Sequence, residues 1–164
     1  MTVPILTSRL VLRAFTHDDA PQLHSVLYRD PEAMHFIGGP HSVQATRQGI
    51  ERYVDQQEAD GFSFWAVEER ETGLMVGEAG LFPLNGRGPD VEVGYAFGSP
   101  WWGRGFATEA ATAILGEAFG PLDLHRVVAV AKRENTGSLN VLRKIGFREE
   151  GDIHAWGSRQ AFFV

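Results

Sequence analysis

The sequence predicts an α+β fold with a mixed, mostly antiparallel sheet of six to seven strands and about four helices. Two observations carry this. Three β-rich runs separated by short turn-forming segments fill the middle of the chain, and after them apolar residues fall at helical spacing between further strand-like runs. The length of 164 residues, with no repeat, low-complexity tract or linker, fits one domain over 1–164 with a sizeable core.

The elements follow in order. "ILTSRLVLRAF" alternates and is β-rich around Leu10–Arg13, a first strand. "THDDAPQLHSVL" offers Asp18 or Asp19 as a cap and puts Leu23, Val26 and Leu27 on one face of a short helix. A second helix opens at Ser42, carries Ile50, Tyr53 and Val54, and stops at Gly61. Strands are expected at Phe62–Glu69, Leu74–Phe82 and Val91–Phe97. The connectors "ETG" and "NGRGPD" are short enough for antiparallel hairpins. Phe106, Ala110, Ile114 and Ala118 then recur at helical spacing until Gly120-Pro121. "HRVVAVA" (His125–Ala131) is a buried-type strand, and "NTGSLNVLRKIGF" a helix with Leu139, Leu142 and Ile145 inward and Gly146 as terminator. "SRQAFFV" supplies a last strand. Glu149, Glu150 and Asp152 form an acidic cluster expected to be a solvated turn.

Composition narrows the function. A formal net charge of −6 disfavours general binding to nucleic acid and suits a cationic substrate such as an amine. There is no cysteine, so disulfides, thiolate metal sites and a cysteine nucleophile are excluded. The six histidines show no paired metal-ligand spacing, and no metal is expected. "MTVPILTSRL" lacks the apolar core of a signal peptide and no run approaches membrane-spanning length, so the expected place is the cytoplasm, with no membrane partner.

The segment with most chemical content is "SPWWGRGFATEA", Ser99–Ala110. It lies between a strand and a helix whose first N–H groups have no partner inside the helix, a setting that binds anions. Gly103 and Gly105 let backbone approach a phosphate and allow positive φ, and Arg104 adds a charge. A tight turn serving only packing would look the same. A P-loop is excluded, since G-x-x-x-x-G-K-[ST] does not occur. A dinucleotide fingerprint is a poor fit, because the turn follows antiparallel-type strands.

Nearly the whole chain resembles the GNAT N-acetyltransferases, in the branch of the RimJ/RimL ribosomal-protein acetyltransferases. "SPWWGRGFATEA" resembles that family's acyl-CoA pyrophosphate loop. "TSRLVLRAFTHDDA" is similar to the branch's opening, "VEVGYAFGSPWWGRGFATEA" to its central strand and loop, and "LDLHRVVAVAKRENTGSLNVLRKIGFREEG" to its closing motif. Trp102 stands where the wider superfamily has Gln or Arg, an aromatic substitution common in this branch. The resemblance implies central strands that splay apart and acetyl-CoA as co-substrate. Backbone N–H groups of Gly103, Arg104, Gly105, Phe106, Ala107 and Thr108 would hold its pyrophosphate, beside Trp102. The backbone of Tyr95, Ala96 and Phe97 would meet the pantetheine arm. Trp101 and Trp102 are otherwise packing around that loop.

Acyl transfer to an amine needs a base, stabilisation of the carbonyl oxygen and a partner for the leaving thiolate. An α-amine, with pKa of roughly 7.7–8.0, is on the order of one-tenth neutral near pH 7; a lysine amine is neutral far less often. Glu92 alternates with Val91 and Val93 in the strand before the turn. The resemblance implies that a glutamate there acts as base through water; a structural carboxylate is the other reading. Asn135 and Ser138 share one face of the last helix's first turn. Asn135 suits a helix cap, and the resemblance also implies cofactor contact. No tyrosine follows Tyr95, which leaves Ser138 as the group expected near the sulfur, with a bound water as fallback. The loop "FIGGP" between His35 and His41 is a candidate specificity element. The expected reaction is direct transfer in a ternary complex to a peptide or protein N-terminal amine. A small amine (polyamine, amino acid, aminoglycoside) is the alternative acceptor, and a non-catalytic acyl-CoA sensor the alternative class. A homodimer is compatible with the resemblance.

Overall fold

Alternation of apolar residues along the early strands builds the larger of two sheets. The structure is a computed structural model and describes residues 3–164. Strands β1 (Ile5–Leu6), β2 (Leu10–Arg13), β3 (Phe64–Glu69), β4 (Met75–Pro83) and β5 (Val91–Phe97) pair in chain order, each antiparallel to the next. The second sheet contains β6 (Ala129–Ala131), β7 (Glu149–Ala155) and β8 (Ser158–Phe163), with β8 in the middle.

Helices cover both faces of the larger sheet. Helix α1 (Ala20–Leu23) runs into a π-helical stretch at His24–Tyr28, and α2 spans Val43–Asp60. Ser42 caps α2 by accepting from Ala45 N, and Gly61 ends it in the left-handed conformation, as the sequence predicts. Leu23, Leu27, Met34, Ile50, Ala66 and Met75 are buried together on this side. Helix α3 (Phe106–Phe119) covers the opposite face, where Phe106, Ala110 and Ile114 pack with Trp65, Leu81 and Val93. Helix α4 (Thr136–Lys144) buries Leu139 and Leu142 in the same core. Among the described residues no helix is long and apolar enough to cross a membrane.

One feature of the backbone positions the site. Val93 N donates to Val128 O at 3.0 Å and Val128 N to Val91 O at 2.9 Å, forming a single parallel bridge between the sheets. Beyond it β5 continues along β4 while β6 pairs with β8, so the two central strands splay apart.

Three details differ from the sequence expectation. The described strands number eight, in two sheets, rather than six to seven in one. The acidic cluster Glu149, Glu150 and Asp152 is not a turn but lies in β7. Arg133 and Arg143 pair with Glu149, Arg133 and Arg159 with Asp152, and partner-strand bonding overrides the turn preference of Glu-Gly-Asp. The run His125–Ala131 forms ladder only from Ala129, because Val128 is spent on the bridge to β5. Asp19 closes a box on Thr16 N at 2.8 Å and also pairs with Arg13.

Candidate active site

The chain turns sharply after β5 and enters α3 through two left-handed glycines, Gly103 at φ 74° and Gly105 at φ 80°. Gly105 is the N-cap residue and offers no side chain, so the N–H groups of the first turn of α3 have no capping partner. The guanidinium of Arg104 is engaged elsewhere. It pairs with the buried carboxylate of Glu69 and stacks over the Phe106 ring at 4.6 Å. Arg9 stands next to the turn instead, donating to Arg104 O at 2.7 Å while held by Glu109. A second concavity beside Gly105 and Thr108 is lined by Arg9 and Lys144 as well.

The splay exposes a short strand edge. Because Val93 N faces β6, alternation turns the N–H and C=O of Tyr95 and Phe97 to the same side. Ala96 points its backbone at β4, opposite Glu78, and meets the cavity through its methyl. The Phe97 carbonyl accepts from the Trp102 indole at 2.8 Å, so that tryptophan closes one end of the open edge. Tyr95 is left with both backbone groups free for a ligand lying in the cleft.

The cleft opens into a cavity of about 630 Å³ that reaches across the sheet to α2. Glu92, Asn135 and Ser138 line one end, together with Tyr95. Asn135 caps α4, its Oδ1 accepting from Ser138 N at 3.2 Å. The Tyr95 hydroxyl lies 3.1 Å from Ser138 Oγ. A phenol therefore stands at the first turn of α4 although the helix itself contains no tyrosine, and burial raises its pKa to about 12. Glu92 is half-buried and accepts from the Trp156 indole N–H at 2.7 Å. Burial raises its pKa to about 7 against the opposing effect of that hydrogen bond. It has no arginine partner among the described residues.

The other end of the cavity contains residues that sequence reasoning did not single out. Glu78 on β4 is 4% exposed, and its Oε1 accepts from the Tyr28 hydroxyl at 2.5 Å. Tyr53 from α2 lies 3.4 Å from the same oxygen. Burial raises Glu78 to about 7 as well. Its signal in the sequence is a lone acid between small residues, "VGEAGLF", in an otherwise apolar strand. Trp156 also escaped notice. It occupies, with Gly157, the positive-φ turn between β7 and β8, and its N–H donates to Asn85 Oδ1 at 2.7 Å. The loop between His35 and His41 lines the cavity through Phe36, Ile37 and Gly38. Among the described residues no cluster of three metal-ligating side chains occurs.

A bridged and then splayed pair of strands, an uncapped glycine turn beside the splay and a carboxylate-bearing cavity make up the site. Residues 9–148 match the family described as acetyltransferase (GNAT) domain, and the chain belongs to that family. It is an acyltransferase. It is 29% identical over 160 residues to the uncharacterized protein YkkB of Bacillus subtilis, covering 97% of this chain and 93% of that one. It is 31% identical over 156 residues to the uncharacterized N-acetyltransferase YoaA of the same organism, covering 93% and 88%. A putative ribosomal-protein-serine acetyltransferase from Vibrio cholerae superposes with a TM-score of 0.80 at 25% identity, covering 99% and 98%.

Proposed function

We propose that the protein transfers an acetyl group from acetyl-CoA to a primary amine, a peptide or protein N-terminal amine before others, by direct attack in a ternary complex. The observation that carries this reading is Glu92. It faces the cavity beside the strand splay, without a cation partner, at a pKa of about 7. A base poised there is matched to an α-amine of roughly 7.7–8.0 and much less well to a lysine amine near about 10.4.

The residues fit the co-substrate. Unpartnered N–H groups from Gly103 to Thr108 would take its pyrophosphate, with Arg9 supplying the nearby charge that Arg104 spends on Glu69. Tyr95 would bond the pantetheine amides through its open edge. Acetyl-CoA supplies a thioester whose C–S bond breaks as the C–N bond forms. Glu92 would take the ammonium proton, directly or through water, before attack. Ser138, with the Tyr95 hydroxyl at 3.1 Å, would stabilise the departing sulfur. With no cysteine in the chain, a cysteine-bound acyl-enzyme is excluded.

The second acceptor reading, a small amine, is favoured by the depth of the cavity and by Glu78 at its far end. The test is a thermal-shift titration with acetyl-CoA, CoA and NAD, followed by a CoA-release assay on peptide N-termini and small amines. Stabilisation by both CoA species and amine-dependent CoA release are expected. Release with no amine tested would overturn the acceptor class, and no shift with either CoA species would overturn the whole reading.

A further inference from the structure

Glu78 is a carboxylate for which the protein provides only half of a binding partner. Two tyrosine hydroxyls stand at Oε1, while Oε2 is buried and has no hydrogen-bond partner among the described residues. Protonation does not repair this. A proton on Oε2 lacks an acceptor, and a proton on Oε1 leaves Oε2 without a donor. Nor does a neighbouring cation answer the charge. Arg52 and Lys132 are the basic residues lining the cavity, and neither forms an ion pair with Glu78. Arg52 is exposed on α2, at the rim. The walls around Glu78 are aromatic: Tyr53 stacks on Phe64 at 5.3 Å, and Phe82 meets Tyr53 edge-on at 6.1 Å. Gly94 leaves room for the Phe64 ring, since a Cβ there would come within 2.5 Å of it. An apolar, π-rich sleeve ending in a carboxylate is the chemistry that receives an organic ammonium.

Register gives the distance between the two ends. Glu92 pairs with Phe82 and Glu78 with Ala96, so the carboxylates stand four strand positions apart on one face. That is about 13 Å along the strands and about 5 Å across them, roughly 14 Å between backbones and roughly 10 Å between carboxylates that lean towards each other. We infer that Glu78, with Tyr28 and Tyr53, forms a second-cation site, and that the preferred acceptor carries a protonated nitrogen roughly 10 Å from the amine that reacts at Glu92. This rests on the acceptor side of the cavity being the amine site proposed above. The shared chemistry is an α,ω-dication, present in a free long-chain diamine and in a short peptide with a basic side chain near its N-terminus.

The test is calorimetric binding to the CoA-loaded protein, with CoA release from acetyl-CoA measured in a parallel assay. One arm compares octane-1,8-diamine with octylamine, and the other Ala-Lys-amide with Ala-Leu-amide. Octane-1,8-diamine binding about tenfold tighter than octylamine, or the same preference in the peptide arm, is expected. The arm that shows it identifies the source of the second charge. In Glu78→Gln the ratio should fall to about one while the thermal shift with CoA persists. Equal affinity for dication and monocation in the unaltered protein, a comparison that needs no variant, overturns the site. So does a preference that survives Glu78→Gln. A Glu78-dependent preference with no CoA release from any amine leaves the cation site standing and removes the transferase reading. CoA release from monoamines with no preference does the reverse.

Discussion

Glu92 and Glu78 stand on adjacent strands of one sheet face, and burial carries both carboxyls to about 7. Their surroundings differ. Glu92 lies at the bridge where β5 parts from β6, half-buried, with one indole N–H as its partner. Glu78 lies where β5 still pairs fully with β4, covered by α2 and the helical stretch before it, with two phenols at one oxygen. Equal acidity therefore does not mean equal work. On the proposed reading, a base for the attacking amine would have to stand at the strand opening, and Glu92 lies at the bridge where that opening begins. Glu78, at the aromatic end of the same cavity, is placed to hold a ligand's charge rather than to move a proton at the strand opening.

The largest expected effect separates the two most sharply. Glu92→Gln should lower kcat by about 10²–10⁴, the usual contribution of a positioned general base, with the thermal shift on CoA binding retained. If the ionised carboxylate is the working form, kcat, which reports the bound complex, should rise with pH and level off above about 7. A flat profile between pH 5 and 8, or a Gln variant of full activity, would remove Glu92 from the reaction.

Much of the candidate site is legible in the sequence, and the reason is local. The turn at Gly103–Gly105 is fixed by left-handed backbone, and Ser42, Gly61 and Asn135 announce helix ends by short-range bonds. Glu92 was visible because its strand and the turn are neighbours in the chain. Glu78 was not, because its partners come from Tyr28 and Tyr53, 50 and 25 residues away. The Tyr95–Ser138 contact likewise spans 43 residues, so a helix without a tyrosine still has a phenol beside it. Strand β7 was misread for the same reason: its acids look like a turn until Arg133, Arg143 and Arg159 are brought to them. Arg104 shows the same limit from the other side: its place in the turn suggests a charge for a phosphate, and only the fold discloses Glu69 beside its guanidinium.

In stability, unlike rate, the two carboxyls should behave alike, and Glu78, the more deeply buried of the two, is the one to read. A carboxyl raised from 4.5 to about 7 on folding binds its proton more tightly in the native state. Its contribution is therefore intact below pH 4.5 and is lost as pH rises towards and past 7. Gln has no proton to lose. Glu78→Gln should gain relative stability as pH rises, by up to about 3 kcal/mol between pH 4.5 and 8, read from urea unfolding at both pH values. A constant difference between variant and parent would show that Glu78 does not change ionisation on folding.

The smallest effect tests what holds Glu92 apart from Glu78. The Trp156 indole donates to the Glu92 carboxylate at 2.7 Å and thereby favours its charged form, opposing burial. The backbone N–H of Trp156 is anchored on Asn85, so the ring is held by the β7–β8 turn rather than by the cavity. Replacing Trp156 by Phe keeps an aromatic ring but removes the N–H together with part of the indole. The carboxylate then loses a charge-directed hydrogen bond, worth about 1 kcal/mol in a partly exposed site, and the midpoint of the rate profile should move upward by about half a unit to one unit. At pH 6 the variant is expected to be several-fold slower than the parent; at pH 8.5 the difference should shrink, since both are then ionised. A uniform loss at every pH would mean that the indole positions the acceptor instead of tuning the base. An unmoved midpoint with full activity would mean that the group titrating in the profile is not Glu92, and Glu78, the cavity's other carboxyl of like acidity, would be next to test.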